Sequence, residues 1–107
     1  MKLVMKLLKD VKMFCIKVDY FMWDEVMDRE CTAPHYLSID TETKNKQGEC
    51  MNLIIFREEI NPDLRVFDTR KEAAEYIKTR MENPCFCENV RIVEVKYNFE
   101  TNKWEEI

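Results

Sequence analysis

The sequence predicts an α+β fold. One domain is expected, in which a largely antiparallel sheet of four or five strands packs on one main helix, in the order α-β-β-β-α-β-β. Three observations lead there. A chain of 107 residues supports one hydrophobic core, since dividing it would leave each half too small to fold without staples. Apolar residues recur every second position in several stretches and every third or fourth in one long stretch, the periods of strands and of a helix. The strand-like stretches also follow one another without intervening helices, which suits antiparallel connections.

The elements follow in chain order. "MKLVMKLLKDVK" sets Leu3, Val4, Leu7, Leu8 and Val11 at helical spacing, with Lys2, Lys6 and Lys9 opposite, and reads as a short amphipathic helix or a strand extension. "MFCIKVDYF" alternates Phe14, Ile16, Val18 and Tyr20 against Lys17 and Asp19, giving a strand with one buried face. "MWDEVMDRECTAPH" turns acidic, spaces Trp23, Val26 and Met27 roughly as a helix does, and meets Pro34; a helical turn or ordered loop is expected.

"YLSIDTE" then alternates Leu37, Ile39 and Thr41 with Ser38, Asp40 and Glu42, a strand with an acidic outer face. "TKNKQGEC" carries the only glycine, Gly48, and makes a hairpin to "MNLIIFREE". The unbroken run Leu53 to Phe56 suits a strand covered on both sides, placed centrally in the sheet.

After "INPDL", the stretch "DTRKEAAEYIKTRMENP" gives the main helix, from Thr69 to about Glu82. Thr69 and Glu72 fit a capping box, Ala73, Ala74, Ile77 and Met81 form the apolar stripe, and Asn83 with Pro84 ends it. "VRIVEVKYNF", with Val93, Val95 and Tyr97 on one face, turns through "ETN" into the short edge strand "KWEEI".

Composition narrows function by exclusion. The charge of −4 is uneven: residues 1–20 carry +3, residues 21–60 carry −5 and the remainder −2. Phosphate repels such a chain unless its bases cluster, so direct nucleic-acid binding is not expected, and a basic or nucleic-acid-binding protein is the better partner. Lys6, Lys9 and Lys12 interrupt the apolar N-terminal stretch, which speaks against a membrane span or signal peptide. An odd count of five cysteines argues against a complete disulfide framework, and reduced thiols in the cytoplasm are expected.

Cofactor chemistry has little to stand on. A single glycine cannot build a phosphate-binding loop. Ser38 lies mid-strand and His35 follows a proline, so neither looks poised for catalysis, and no enzymatic activity is expected. The cysteines leave two readings open. Cys85 and Cys87 with Cys31 and His35, the latter spaced C-x3-H, could form a Cys3His zinc site if the segment before Pro34 meets the end of the long helix. Otherwise they are small packed hydrophobes, and no cofactor is needed. A redox role is disfavoured by the helix C-terminus and by Glu82 and Glu88 nearby.

What remains is surface. Asp24, Glu25, Asp28 and Glu30 precede the strand bearing Ser38, Asp40 and Glu42. Were the two groups adjacent, they would form an acidic face beside exposed Trp23 and Tyr36, the mixture of aromatic anchor and charge that interfaces use. The plain alternative is ordinary charged surface with Trp23 in the core.

In size, acidity and style, with its acidic "DTETKNKQGE" hairpin and terminal "YNFETNKWEEI", the whole chain resembles the small orphan accessory proteins of phages and mobile elements, including anti-CRISPR proteins. The resemblance implies a viral, non-catalytic protein that binds and blocks a host nucleic-acid enzyme in the bacterial cytoplasm. It assigns no role to individual residues. The competing class is a small zinc- or thiol-containing structural or regulatory module built on Cys31, His35, Cys85 and Cys87.

Overall fold

The computed structural model describes residues 12–81 and 85–107. The expected N-terminal helix lies outside them, as do Asn83 and Pro84. Among the described residues, five strands form one antiparallel sheet: β1 (Lys12–Asp24), β2 (Arg29–Asp40), β3 (Leu53–Arg57), β4 (Cys87–Asn98) and β5 (Lys103–Glu106). One helix, α1 (Arg70–Arg80), lies between β3 and β4 in the chain.

The sheet order is β3-β2-β1-β4-β5, so β1 is central and β3 is an edge. This corrects the expected central place of "LIIF". An unbroken apolar run fits a strand covered on both faces, yet Leu53 and Ile54 remain 39% and 45% exposed.

A second correction concerns residues 22–35. Trp23 and Asp24 complete β1, residues 25–28 turn, and Arg29 to Asp40 form a strand that carries Pro34 within it. Proline is tolerated there because β3 pairs only with Tyr36 to Asp40, leaving β2 bonded on one side at Pro34.

The sheet buries both faces. On one, Ile16, Val18 and Leu37 pack with Ala73 and Met81 from α1 and its C-cap, flanked by Phe14 and Tyr20. Full burial of an aliphatic side chain contributes about 1.5–3 kcal/mol. The even-numbered residues of β1 face this core as expected, but the strand is not buried on one face alone, since Cys15 on the other face is also fully enclosed. Along α1 the stripe is Ala73, Tyr76, Ile77 and Met81; Ala74 faces out, because the helix presents its 73–77–81 row to the sheet. Thr69 caps α1 as expected, its hydroxyl accepting from the Glu72 amide at 3.1 Å.

On the opposite face, Cys15 and Val95 pack against Leu64, with Ile60, Val66 and Trp104 around them. The cover is the segment between β3 and α1. Its middle also fills a gap in the sheet: β1 and β2 stay paired from the hairpin to Lys17 and Tyr36, and beyond that Leu64 bridges Ser38 and Phe67 bridges Phe14. Arg57 holds the segment through Asp63, Nε to Oδ2 at 2.8 Å.

Two turns match their sequence signals. Gly48 takes φ +80° in the hairpin closed by the Lys44 and Cys50 bridge. Asn98 accepts from the amides of Glu100 and Thr101 to turn β4 into β5.

Candidate partner-binding surfaces

The β1–β2 hairpin gathers five of the residues singled out from sequence. Trp23 pairs across from Glu30 and Asp24 from Arg29, with Glu25 to Asp28 as the turn. Asp24 Oδ1 shapes it by accepting from the amides of Val26 and Met27 at 3.0 and 3.2 Å. Asp28 closes it at φ +50°, a conformation that suits a short polar residue. The apolar side chains of this tip face water: Trp23 is 60%, Val26 92% and Met27 58% exposed. Around them stand Asp24, Glu25, Asp28 and Glu30, against Arg29 as the one base. Trp23 is therefore not a core residue.

The other four residues lie at the far end of β2. Ten residues of strand separate Glu30 from Asp40, about 33 Å, so no continuous acidic face joins the two groups. Three of their side chains are also otherwise engaged. Ser38, expected outward, is fully buried because the segment around Leu64 covers that face, and its hydroxyl donates to the Tyr36 carbonyl at 3.4 Å. Tyr36 is half-buried beneath Lys17 Nζ, 5.1 Å from the ring centroid, and donates to Glu106 Oε1 at 3.3 Å. Asp40 caps the end of β2, accepting from the Glu42 amide, the Thr43 amide and the Thr43 hydroxyl. The Thr43 hydroxyl and Glu42 amide hold its carboxyl below the usual range. Of the four, Glu42 alone is exposed.

The cysteine and histidine set does not converge. Cys31 and His35 fall on a strand, not in a loop, where residues four apart stand about 13 Å from each other. Cys87 opens β4 and pairs with Tyr20 of β1, which separates it from β2. Among the described residues no group of three or more His, Cys, Asp and Glu side chains is arranged to hold a metal ion. Cys87 is buried, and burial followed by the neighbouring Cys85 raises its thiol pKa; Cys85 is exposed. Burial likewise pushes the Cys15 thiol up to about 12.

His35 is buried against Tyr20, ring centroids 5.0 Å apart. Its Nδ1 lies 2.8 Å from the Ala33 carbonyl, which can only accept, so Nδ1 carries a proton. Nε2 stands 4.0 Å from a Glu58 oxygen. Among the described residues no hydrogen bond links His35 to Cys31 or Ser38.

Two features have no counterpart in the sequence reading. A bulge interrupts the β1–β4 ladder between Lys17 and Asp19, where Asn89 adopts φ +52°. Asn89 Nδ2 donates to Asp19 at 2.9 Å and Arg91 donates to the same carboxylate at 3.3 Å; the Asn89 bond and the guanidinium charge hold the Asp19 carboxyl low. The second is a cleft at the β3 edge, lined by Tyr20, Ile54, Phe56, Arg80, Met81 and Phe86. Phe86 stacks on Phe56 at 5.3 Å and on Tyr20 at 6.0 Å. Its one sequence signal is Phe86 itself, an aromatic set between two cysteines.

The chain matches no family model, no curated protein and no solved structure. Among the described residues no helix is long and apolar enough to cross a membrane.

Proposed function

We propose that the chain is a non-catalytic protein-binding inhibitor or regulator, and that it engages its partner through the tip of the β1–β2 hairpin. The observation that carries this reading is the exposure of Trp23, Val26 and Met27 together on one projecting turn, ringed by four acids. Large apolar side chains grouped in water are unfavourable unless covered, and a tryptophan within a polar rim is the composition of an interface hot spot. The acidic rim favours a basic partner surface and accelerates encounter with it. A host nucleic-acid enzyme, whose working cleft is basic, has the required chemistry. In this reading the inhibitor occupies or overhangs that cleft, in the manner of the phage accessory proteins the sequence resembles.

Affinity capture from a bacterial lysate with the tagged chain, at low and moderate salt, tests the reading. One dominant basic nuclease or nucleoprotein is expected at moderate salt, lost with Trp23→Ala and weakened when Glu25 and Asp28 are changed to Lys. Recovery of the same proteins by these variants, or of nucleic acid alone, would overturn it.

A further inference from the structure

We infer that the outer edge of β3 and the cleft beside it form a groove for an extended segment of a partner protein, which joins the sheet as a further strand. The segment seats an apolar side chain against Ile54, Phe56 and Phe86 and places an acidic side chain at Arg80.

The backbone supplies the first half of the argument. The Ile39 amide donates to the Asp63 carbonyl at 2.9 Å, and the Arg65 amide donates to the Leu37 carbonyl at 3.1 Å. Odd-numbered residues of β2 therefore direct their amide and carbonyl groups away from β3, and even-numbered ones direct theirs toward it. Ser38 thus exchanges hydrogen bonds with Ile55, its register partner. By the same alternation Ile54 and Phe56 turn their amides and carbonyls outward, where no described strand meets them. Leu53 to Arg57 holds no proline, lysine or bulge, the usual devices that protect an edge from strand addition.

Side chains supply the second half. Ile54 and Phe56 share the face of β3 that opens on the cleft of about 390 Å³. A strand added outside β3 directs every second side chain to that face, so one of them meets the aromatic wall of Phe56 and Phe86. Exposed Ile54 and Phe86, 45% and 39% accessible, extend the wall to the groove mouth. Arg80 lines the same cleft and forms no ion pair with any other described residue. Its complement is a carboxylate on the incoming segment. A second copy of this chain would instead add the strand "LIIFR", which sets Arg57 in the groove and keeps its nearest acids, Glu58 and Glu59, past its end, and each copy carries a net charge of −4. Charge therefore favours a different polypeptide as the occupant.

Selection of a displayed library of short random peptides on the 107-residue chain tests this assignment independently of the hairpin tip. The expected result is enrichment of extended sequences pairing an aliphatic or aromatic residue with a nearby Asp or Glu. Arg80→Glu should switch the charged preference to Lys or Arg. Ile54→Lys should weaken the best peptide about tenfold or more, and so should Ile54→Pro, which removes an outward amide. Ile54 faces solvent while Phe86 also stacks on Phe56 and Tyr20, so an unchanged melting temperature of Ile54→Lys and cooperative unfolding of Phe86→Ala at a modestly lower one confirm the fold. No enrichment above background would overturn the proposal. So would peptides that bind Ile54→Lys and Phe86→Ala as well as the parent, or self-association in sedimentation that Ile54→Lys abolishes.

Discussion

Replacing Glu106 with Gln tests whether charge fastens the short β5 edge to the rest of the sheet. Lys17 Nζ donates to both oxygens of Glu106, at 3.0 and 3.3 Å, while the Tyr36 hydroxyl donates to one of them. The two charged side chains are 17% and 33% exposed, so the pair is largely withdrawn from water. Burial draws the Lys17 pKa down, but the bonds to Glu106 and Tyr36 outweigh it and leave the group above its ordinary value. A hydrogen bond to a charged group contributes about 1.5–3 kcal/mol. Residual solvent around Glu106 screens the pair toward the lower end, about 1–2 kcal/mol. A double-mutant cycle of Glu106→Gln and Lys17→Met, read by urea denaturation, should return that coupling. Glu106→Gln alone should lower Tm by roughly 5–10 °C. Because folding raises the Lys17 pKa, the contribution is complete below the unfolded value of 10.5 and fades only as pH rises through the folded one. The coupling should accordingly stay constant across the neutral range. A coupling under about 0.3 kcal/mol, the level found between independent sites, would refute the argument.

Three further outcomes follow from the geometry. Cys15, its pKa pushed up to about 12, should resist alkylation in the native state while exposed Cys50 and Cys85 react quickly; mass spectrometry showing Cys15 labelled as fast as Cys50 would contradict its burial. Asn89→Ala should destabilise by about 1–2 kcal/mol, because alanine strains at positive φ; Asn89→Gly should cost less, and equal chemical-denaturation midpoints for the two would remove backbone strain as the cause. Folding lowers the Asp40 pKa from 3.8, so its contribution is present above that value and lost as pH falls through the folded one. The Tm difference between the parent and Asp40→Asn should therefore shrink in strong acid, and a gap independent of pH would show that the charge is not involved.

Elements carried by local chemistry are legible in the amino-acid sequence. Alternation marks β1 and its inward residues Ile16 and Val18, Thr69 announces the start of α1, and Gly48 fixes a turn. Long-range pairing is not legible. Nothing within "LIIF" states which strands lie beside it, and the edge position of β3 depends on β1 taking β4 as its second neighbour. Pro34 misleads because its effect on a strand depends on where β3 stops. Ser38 misleads for a related reason: the cover over its face comes from Leu64, in a stretch whose Asn-Pro-Asp reads as punctuation. That stretch does carry a usable sign. Ile60, Leu64, Val66 and Phe67 are too many apolar residues for a connector lying on the surface.

For the candidate site, sequence supplies the ingredients of the hairpin tip and misplaces their neighbours. Trp23 and its surrounding acids lie within eight residues of one another, so a local turn is enough to gather them. Their supposed continuation to Glu42 requires two distant segments to meet, and the length of β2 keeps them apart. Arg80 draws no attention in the sequence and Ile54 reads only as part of a covered strand, because only the tertiary fold brings the end of α1 to the β3 edge.

The central place of β1 has a consequence for synthesis. Tyr36 reaches Lys17 through a short hairpin, but the other side of β1 waits for β4, whose Lys96 pairs with Lys12 and whose Val93 pairs with Cys15. A nascent chain emerging from the ribosome cannot complete the middle of its sheet until β4, which follows β3 and α1, has also been made. Until then the β1–β2 hairpin carries Ile16 and Val18 with one unfilled side, a state in which a chaperone or a neighbouring nascent chain could pair with it. Separations this large slow folding, so the middle of the sheet should close late, well after the β1–β2 hairpin has formed.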